Sequence, residues 1–361
     1  MKVKNSTISN LQLMFIIIGL FQGSALTVSF AAETAKQDMW IIVIISAVLM
    51  VPLFLEYTYM EVKFYGNTII EINDIIYGKY IGKIVSLLYI NFFGFITFAN
   101  FGYMADFFKT YMFDKTNIMI FICGIAFVAI YAIKKGIEVI ARITPIIVIL
   151  TLVEVPLLIV FTIKDTSIRN FLPIFQINFH DLVKSINLMI AIPFGELISC
   201  MTIFPYVKNA DKIKKYSFIG YTIGVIFLVA VVVRNTAVLG NIGQIQKFQS
   251  YQVAKDLEIG EVMTRNEILV ALILFFDVFV KICVTYHATV LSIAQVFKLK
   301  SYKGIVVPVG IVSIIQAFFM ISSTKDFGYY TLNIYPVFSL LFIVVIPIIS
   351  LIILYFRRLS V

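Results

Sequence analysis

The segment Ala191-Ile-Pro-Phe-Gly-Glu-Leu-Ile-Ser-Cys200 places a proline, a glycine and a glutamate inside a run that is otherwise apolar enough to cross a membrane. Pro193 cannot donate a backbone hydrogen bond, and Gly195 tolerates non-helical dihedral angles. Unwound backbone at membrane depth is tolerated only where it is buried in protein or lines a cavity. The segment therefore predicts a broken transmembrane helix with a carboxyl group at the break.

The chain as a whole has the composition of an integral membrane protein. Its 361 residues are 61% hydrophobic and 14% charged. Apolar runs of about 20 residues, the length of a membrane-spanning helix, recur along it. We predict an all-α polytopic membrane protein with about ten spans, at residues 10–33, 39–60, 81–108, 116–133, 142–163, 186–207, 216–239, 266–295, 304–323 and 334–356.

The net charge of +9 fits a membrane topology better than it fits nucleic-acid binding. If both termini and the even-numbered loops are assigned to the cytoplasm, those segments carry more Lys and Arg than the odd-numbered loops. This is the positive-inside bias. We therefore predict that both termini are cytoplasmic and that the protein has no nucleic-acid partner.

Corresponding features recur in two sets of five spans within a single transmembrane domain, residues 1–361. The first repeat covers about 8–165 and the second about 184–358, and they have opposite orientations because five is odd. In each half a polar amphipathic connection, 67–77 or 242–253, precedes a long third span. Both connections predict helices that lie at the membrane interface.

The first span of each half contains the interruption. Span one reads Ile18-Gly-Leu-Phe-Gln-Gly-Ser-Ala25, which corresponds in position to the Pro193-Phe-Gly-Glu196 break in span six. Gly19 and Gly23 also have the spacing that lets helices pack closely, so a packing role is the alternative. Paired interruptions in matching spans predict a binding site at the membrane midplane.

Ionisable side chains within the spans are the candidates for chemistry, because each costs roughly 2.5–3.5 kcal/mol at a helix centre. Asp277 and Lys281 are four residues apart on one helix face and predict an ion pair. The pair is either a structural bridge, or Lys281 reaches toward the broken first span in place of a coupling cation. Arg234 has no partner close in sequence, and Glu154 and Glu196 are both candidates for its counter-ion.

The sequence contains no recognisable catalytic constellation. It has no phosphate-binding glycine loop, no cluster of metal ligands and no nucleophile with a base at a known spacing. We therefore expect that the protein is not an enzyme and that it has neither a metal site nor a cofactor.

Segments from the first span to the last resemble the B subunits of GerA-type spore nutrient germinant receptors. The opening Ile8-Ser-Asn-Leu-Gln-Leu13 carries this resemblance together with Pro193-Phe-Gly-Glu196. Further matching positions are 19, 23–25 and 35–40 near the start, 204–206 and 279–281 in spans six and eight, and Tyr335, Pro336 and Pro347 near the end.

The resemblance implies membership of the amino acid–polyamine–organocation superfamily, whose LeuT-like fold has two inverted five-helix repeats and broken helices one and six. It implies a subunit in the inner membrane of the spore that binds a small nutrient, such as an amino acid, and triggers germination. It further implies two protein partners, an A-type subunit and a C-type lipoprotein subunit.

The family's ligand pocket lies between spans one and six, flanked by spans three, eight and ten. Carried onto this chain, the resemblance implies a pocket formed by Gln22, Gly23, Ser24, Ala25, Phe95, Ala99, Phe194, Gly195, Glu196, Leu197, Lys281 and Thr285. Glu196 either attracts the ligand's amine or stabilises the unwound backbone while partly protonated. Freed backbone amides at a half-helix N-terminus suit a carboxylate, and freed carbonyls suit an ammonium group.

Two other functional classes compete with the receptor. A secondary transporter that moves an amino acid with protons or sodium has the same fold, and fold alone does not separate the two. A purely structural membrane scaffold leaves the paired breaks unexplained.

Overall fold

The computed structural model describes residues 7–257, 266–322 and 328–357. Within these ranges the regular elements are helices, and the only strand-type pairing is an isolated bridge between Ile8 and Val207. The all-α prediction is confirmed. Residue 323 of the ninth predicted span, residue 358 at the end of the second predicted repeat, and the basic residues nearest both chain ends lie outside the described ranges.

Most of the predicted spans correspond to one long helix, whereas the first, sixth and last are divided into shorter helical pieces. The helices are α1 Asn10–Gln22, α2 Met39–Lys63, α3 Ile69–Tyr77, α4 Lys79–Tyr111, α5 Ile118–Lys135, α6 Ile137–Phe161, α7 Phe179–Met189, α8 Ala210–Leu239, α9 Gln249–Lys255, α10 Asn266–Val296, α11 Val306–Ser322, α12 Tyr335–Leu340 and α13 Ile346–Arg357.

Eight helical stretches in the described ranges are long and apolar enough to cross a membrane. Two of the ten predicted spans correspond instead to shorter apolar helices, which are α1 and α11. The protein is a multi-pass membrane protein, while the count of ten and the inverted repeats stay predictions.

Both predicted breaks are present. Helix α1 begins with a reciprocal cap between Ser9 and Gln12 and ends at Gln22, after which the chain turns until the 3₁₀ helix Val28–Ala31. In the sixth span, α7 passes into a π-helical turn at Ile190–Phe194 in which Ile192 is extended (φ −138°, ψ 113°). A 3₁₀ helix, Gly195–Thr202, follows the break.

The connections predicted to be amphipathic helices are helical. The first is α3, which begins with a cap in which Thr68 and Glu71 bond each other's backbone amides. The second is divided into a 3₁₀ helix, Gly240–Ile245, and α9. The last span is interrupted as well, by π-helical turns at Tyr330–Ile334 and Leu341–Val345.

Helix α1 is buried from Ile16 to its end at Gln22, and glycines set how closely its neighbours approach. A Cβ atom on Gly19 would lie 3.1 Å from Val280 of α10 and 3.3 Å from Thr144 of α6. A Cβ on Gly220 of α8 would lie 2.8 Å from the carbonyl oxygen of Met14. These contacts agree with the packing role considered for Gly19, and they bring the end of α1 against α10.

Candidate functional site

Lys281 joins the eighth span to both broken spans. Its Nζ atom lies 2.7 Å from Oε2 of Glu196 and donates a hydrogen bond of 3.0 Å to Oγ of Ser24. The side chains of Lys281 and Glu196 are only 0% and 4% exposed. Ser24 Oγ in turn donates to the carbonyl oxygen of Leu20 in the last turn of α1. One ammonium group therefore bridges the two helix breaks.

The predicted ion pair between Asp277 and Lys281 is wrong. The described residues contain no ion pair within 4 Å that involves Asp277, whose Oδ1 accepts a 2.8 Å hydrogen bond from Thr151 of α6. The chain at Gly23 crosses this face of α10, since a Cβ there would lie 2.6 Å from Asp277 O and 2.9 Å from Lys281 Cβ. The chain at Gly23 therefore lies between the side chains of Asp277 and Lys281. Asp277 bonds Thr151 of the fifth span, and Lys281 pairs with Glu196 of the sixth.

Arg234 is buried on α8 and bonds its neighbour rather than a carboxylate. Its Nε and Nη2 donate to Oδ1 of Asn235 over 3.2 and 2.9 Å. Of the two candidate counter-ions, Glu196 is paired with Lys281. Glu154 interacts with Arg234 electrostatically, but beyond ion-pair distance.

A small cavity lies beside the Lys281–Glu196 pair. Phe95 and Ala99 of α4 line it, and so do the two charged side chains. Its volume is about 40 Å³, which is room for roughly three or four water molecules at ~10–15 Å³ each. Side chains must move before a nutrient molecule fits.

Aromatic rings form much of the remaining wall. Phe95 stacks on Tyr335, with ring centroids 4.9 Å apart and planes 20° apart. Phe30 meets Tyr103 edge-on with a centroid separation of 4.9 Å. Offset-stacked and edge-to-face pairs are the favoured aromatic geometries, so these walls have a defined shape.

Several residues that line the cavity were not predicted from the sequence. They are Thr27 and Phe30 after the first break, Ile96, Asn100 and Tyr103 on α4, Ile192 at the second break, and Thr331 and Tyr335 in the last span. Helical spacing from Ala99 points to Tyr103, one turn further along the same face. No local signal marks Thr331, because its register depends on the π-helical turn at Tyr330–Ile334.

Most of the other predicted ligand residues lie near the cavity without lining it. Gln22 donates to the carbonyl oxygen of Val148 over 3.2 Å. Phe194 packs edge-on against Phe21, 5.5 Å away. Thr285 donates to the carbonyl oxygen of Lys281 within its own helix. These side chains support the backbone of the site and do not face a ligand in this conformation.

The small residues at the breaks are packing positions. Gly23 faces the backbone of α10, and a Cβ on Gly195 would collide with Ile343 of the last span. Ala25 and Leu197 are buried in the core. Ser24 is the exception, because its hydroxyl group contacts Lys281 directly.

The expectation of freed backbone amides is wrong for most of the first break. The amides of Gly23, Ser24, Ala25 and Thr27 donate to carbonyl oxygens three or four residues earlier, over 2.8 to 3.0 Å. The unwound segment is therefore a series of tight turns whose donors are used. Among the residues that line the cavity in this conformation, Lys281 carries the positive group that a carboxylate can meet.

Because Lys281 pairs with Glu196 and not with Asp277, we predict that the substitution Asp277→Asn is tolerated. Asparagine keeps an oxygen atom that accepts from Thr151, and no cationic partner is lost. We expect the free energy of unfolding to stay within about 1 kcal/mol of wild type, and the amount of membrane-inserted protein to stay unchanged. Thermal unfolding of the purified protein measures this. A large loss of stability would restore Asp277 as the ion-pair partner of Lys281.

The chain resembles known proteins over most of its length. Residues 7–327 match a family model described as spore germination protein. Spore germination protein KB of Bacillus subtilis (strain 168) is 24% identical over 332 residues, which cover 90% of this chain and 88% of the relative. Spore germination protein YndE of the same organism is 21% identical over 301 residues, covering 82% of each chain.

Solved structures of transporters share the fold. Mhp1, a nucleobase–cation symport transporter in a closed conformation with bromovinylhydantoin bound, has a TM-score of 0.66 and 13% identity over 91% of this chain and 76% of its own. A mutant of the manganese transporter of Eremococcus coleocola has a TM-score of 0.61 and 12% identity, covering 96% and 78%. At such identities the likeness shows the fold alone.

Proposed function

The chain belongs to the spore germination protein family, and from this membership we propose that it is the B-type subunit of a nutrient germinant receptor. In this proposal it binds a small nutrient at the Lys281–Glu196 site and signals to partner subunits that start germination. The membership agrees with the resemblance found at the two breaks and along the spans.

The observation that carries the proposal is the buried contact of Lys281 with Glu196 and Ser24. It joins two helix breaks and α10 next to an aromatic cavity. An amino acid carries an ammonium and a carboxylate, so it can insert between Lys281 and Glu196 and replace one charge pair by two. The aromatic wall formed by Phe95 and Tyr335 suits the ligand's side chain.

Signalling follows from the placement of these contacts. A ligand shifts a conformational equilibrium only through different affinities for the two states. Opening the contact between Lys281, Glu196 and Ser24 changes the position of the two broken spans relative to α10. Partner subunits would detect this change in position. We propose an A-type and a C-type subunit as these partners, in the inner spore membrane, with both termini in the cytoplasm.

The domain organisation and the class of protein belong to the same proposal. We propose a single transmembrane domain of two inverted repeats, about 8–165 and 184–358, without enzymatic activity. The curated relatives are named as germination proteins. The permease alternative rests on the transporter fold, and since fold does not imply function it is not favoured.

Deletion and complementation test the proposal. A strain lacking this gene is expected to lose germination with at least one nutrient in a panel, and the wild-type gene is expected to restore it. Complementation with Ala99→Leu fills the cavity, so the nutrient concentration for half-maximal germination should rise at least about tenfold, equivalent to 1.4 kcal/mol. Germination is followed by the fall in optical density.

Ala230→Leu is the matched control, because Ala230 is also partly buried but lies on α8 and does not line the cavity. We expect it to leave the dose response unchanged at equal protein level on an immunoblot. A deletion strain that responds normally to every nutrient would refute the receptor function. A normal dose response of Ala99→Leu would refute only the location of the ligand site.

A further inference from the structure

A second, smaller cavity lies where α2, α3 and α4 meet the sixth and last spans. Its polar lining consists of Glu56 and Tyr57 of α2, Asn73 of α3, Tyr89 of α4 and Ser350 of α13. Its volume is about 20 Å³, which corresponds to one or two water-sized species at ~10–15 Å³ each. None of these five side chains belongs to the proposed nutrient site.

Glu56 is buried in this cavity without a partner for its charge. The residue is 5% exposed, and its Oε1 atom has no hydrogen-bond donor. Across residues 7–257, 266–322 and 328–357, no Lys, Arg or His nitrogen lies within 4 Å of its carboxylate oxygens. Burying an unpaired carboxylate is costly, so the group needs either a proton or a cation.

The hydroxyl groups around Glu56 donate away from it. Tyr57 OH donates 2.7 Å to Ile343 O, and Tyr89 OH donates 2.9 Å to Phe342 O. Both carbonyls belong to the π-helical turn Leu341–Val345, in which the backbone bonding pattern shifts. Ser350 Oγ donates 2.9 Å to Ile346 O. These hydroxyl oxygens therefore offer only lone pairs to the cavity.

Asn73 supplies no donor to Glu56 either. Its Nδ2 atom lies 3.5 Å from Ser86 Oγ, on the side of α4. The cavity thus combines one carboxyl group with neutral hydroxyl and amide oxygens, and none of the hydrogen bonds that these side chains donate goes to Glu56. Oxygen ligands of this kind suit hard cations. A single negative charge balances a single positive charge, which favours a monovalent ion over a divalent one.

We propose that this cavity binds a monovalent alkali cation, with Glu56 as the charged ligand and Tyr57, Tyr89 and Asn73 as neutral oxygen ligands. The ion holds α2, α3 and α4 against the last span. It also acts next to the nutrient site, because Ile343, whose carbonyl accepts from Tyr57, packs against Gly195 beside Glu196. The proposal is independent of which nutrient the protein binds.

Thermal unfolding of the purified full-length protein in detergent tests this site. Na⁺ or K⁺ replaces choline at constant ionic strength and constant pH. We expect a saturable rise in melting temperature of about 2–4 °C, since an ion that binds only the folded state stabilises it by mass action. In Glu56→Gln the rise should disappear, because the amide group donates its own hydrogen bonds and the charge is gone.

Glu154→Gln is the matched control, because it removes another carboxyl group within a span and should keep the full response to the cation. Tyr89→Phe removes one neutral ligand and should raise the cation concentration for half-maximal stabilisation several-fold, which provides a test if Glu56→Gln does not fold. The proposal would be overturned if the melting temperature were the same in Na⁺ or K⁺ as in choline, or if Glu56→Gln kept the full rise. It would also be overturned if lowering the pH in choline gave the same rise without either cation.

Discussion

Replacing Lys281 by methionine is expected to abolish the nutrient response and to lower the amount of subunit in the membrane. The substitution leaves Glu196 buried, 4% exposed, without its partner at 2.7 Å. Removing one member of a buried ion pair costs about 3–5 kcal/mol, because the remaining charge is uncompensated. The measurements are germination of a complemented deletion strain and the protein level on an immunoblot of spore membranes.

The double variant Glu196→Gln with Lys281→Met separates the structural from the binding role. Both charges are then removed, so the protein level should recover to a large extent. The nutrient response should stay absent, because neither ligand charge has a partner. Recovery of both level and response would show that the pair is only structural.

Lys247→Met is the matched control for Lys281→Met. Lys247 also pairs with a carboxylate, that of Asp106, but the two side chains are 30% and 11% exposed. Solvent screens this pair more than the fully buried one, so this variant should lose clearly less protein level and response than Lys281→Met. If it were as damaging as Lys281→Met, burial would not be the reason for the large effect.

Gly23→Ala is expected to displace the end of α1 from α10 and to impair the response even though it adds one methyl group. The new Cβ would lie 2.6 Å from the carbonyl oxygen of Asp277, a backbone atom that cannot rotate away. The backbone angles at Gly23 (φ −62°, ψ −11°) are open to alanine, so the effect arises from space alone. Overpacking of this kind costs about 1–3 kcal/mol.

The dose response of a complemented deletion strain measures the effect of Gly23→Ala on function, and thermal unfolding measures the effect on stability. Gly124→Ala is the control, since a Cβ at Gly124 meets no atom within 4 Å and alanine favours the helix. We expect Gly124→Ala to behave as wild type. An unaltered dose response and melting temperature in Gly23→Ala would show that the close approach at the break is not needed.

Several features of the site are predictable because they depend on neighbouring residues. Proline and glycine in Pro193-Phe-Gly-Glu196 disfavour a continuous helix, and the structure contains the break at Ile192. An unpaired charge within a membrane span is unfavourable in free energy, and this indicated that Glu196 and Lys281 need partners. The resemblance implied Phe95 and Ala99 as pocket residues; they lie one turn apart on α4, and both line the cavity.

Other features are not predictable from local patterns. The i,i+4 spacing of Asp277 and Lys281 predicted a pair, but the chain crossing at Gly23 divides that face of α10. The tight turns of the first break use amides that were expected to be free. The register of Tyr335 and Thr331 depends on π-helical turns, for which the sequence carries no clear marker.

The sequence by itself determined that this is a helical membrane protein with two broken spans and a buried charge at one of them. Hydrophobic composition and backbone preferences depend only on the residues of one span, so they can be recognised from that segment of the sequence alone. Only the tertiary structure decided that Lys281 pairs with Glu196 and that Asp277 accepts from Thr151. The physical reason is that a buried charge takes the partner nearest in space, and interhelical distances depend on how the helices pack together.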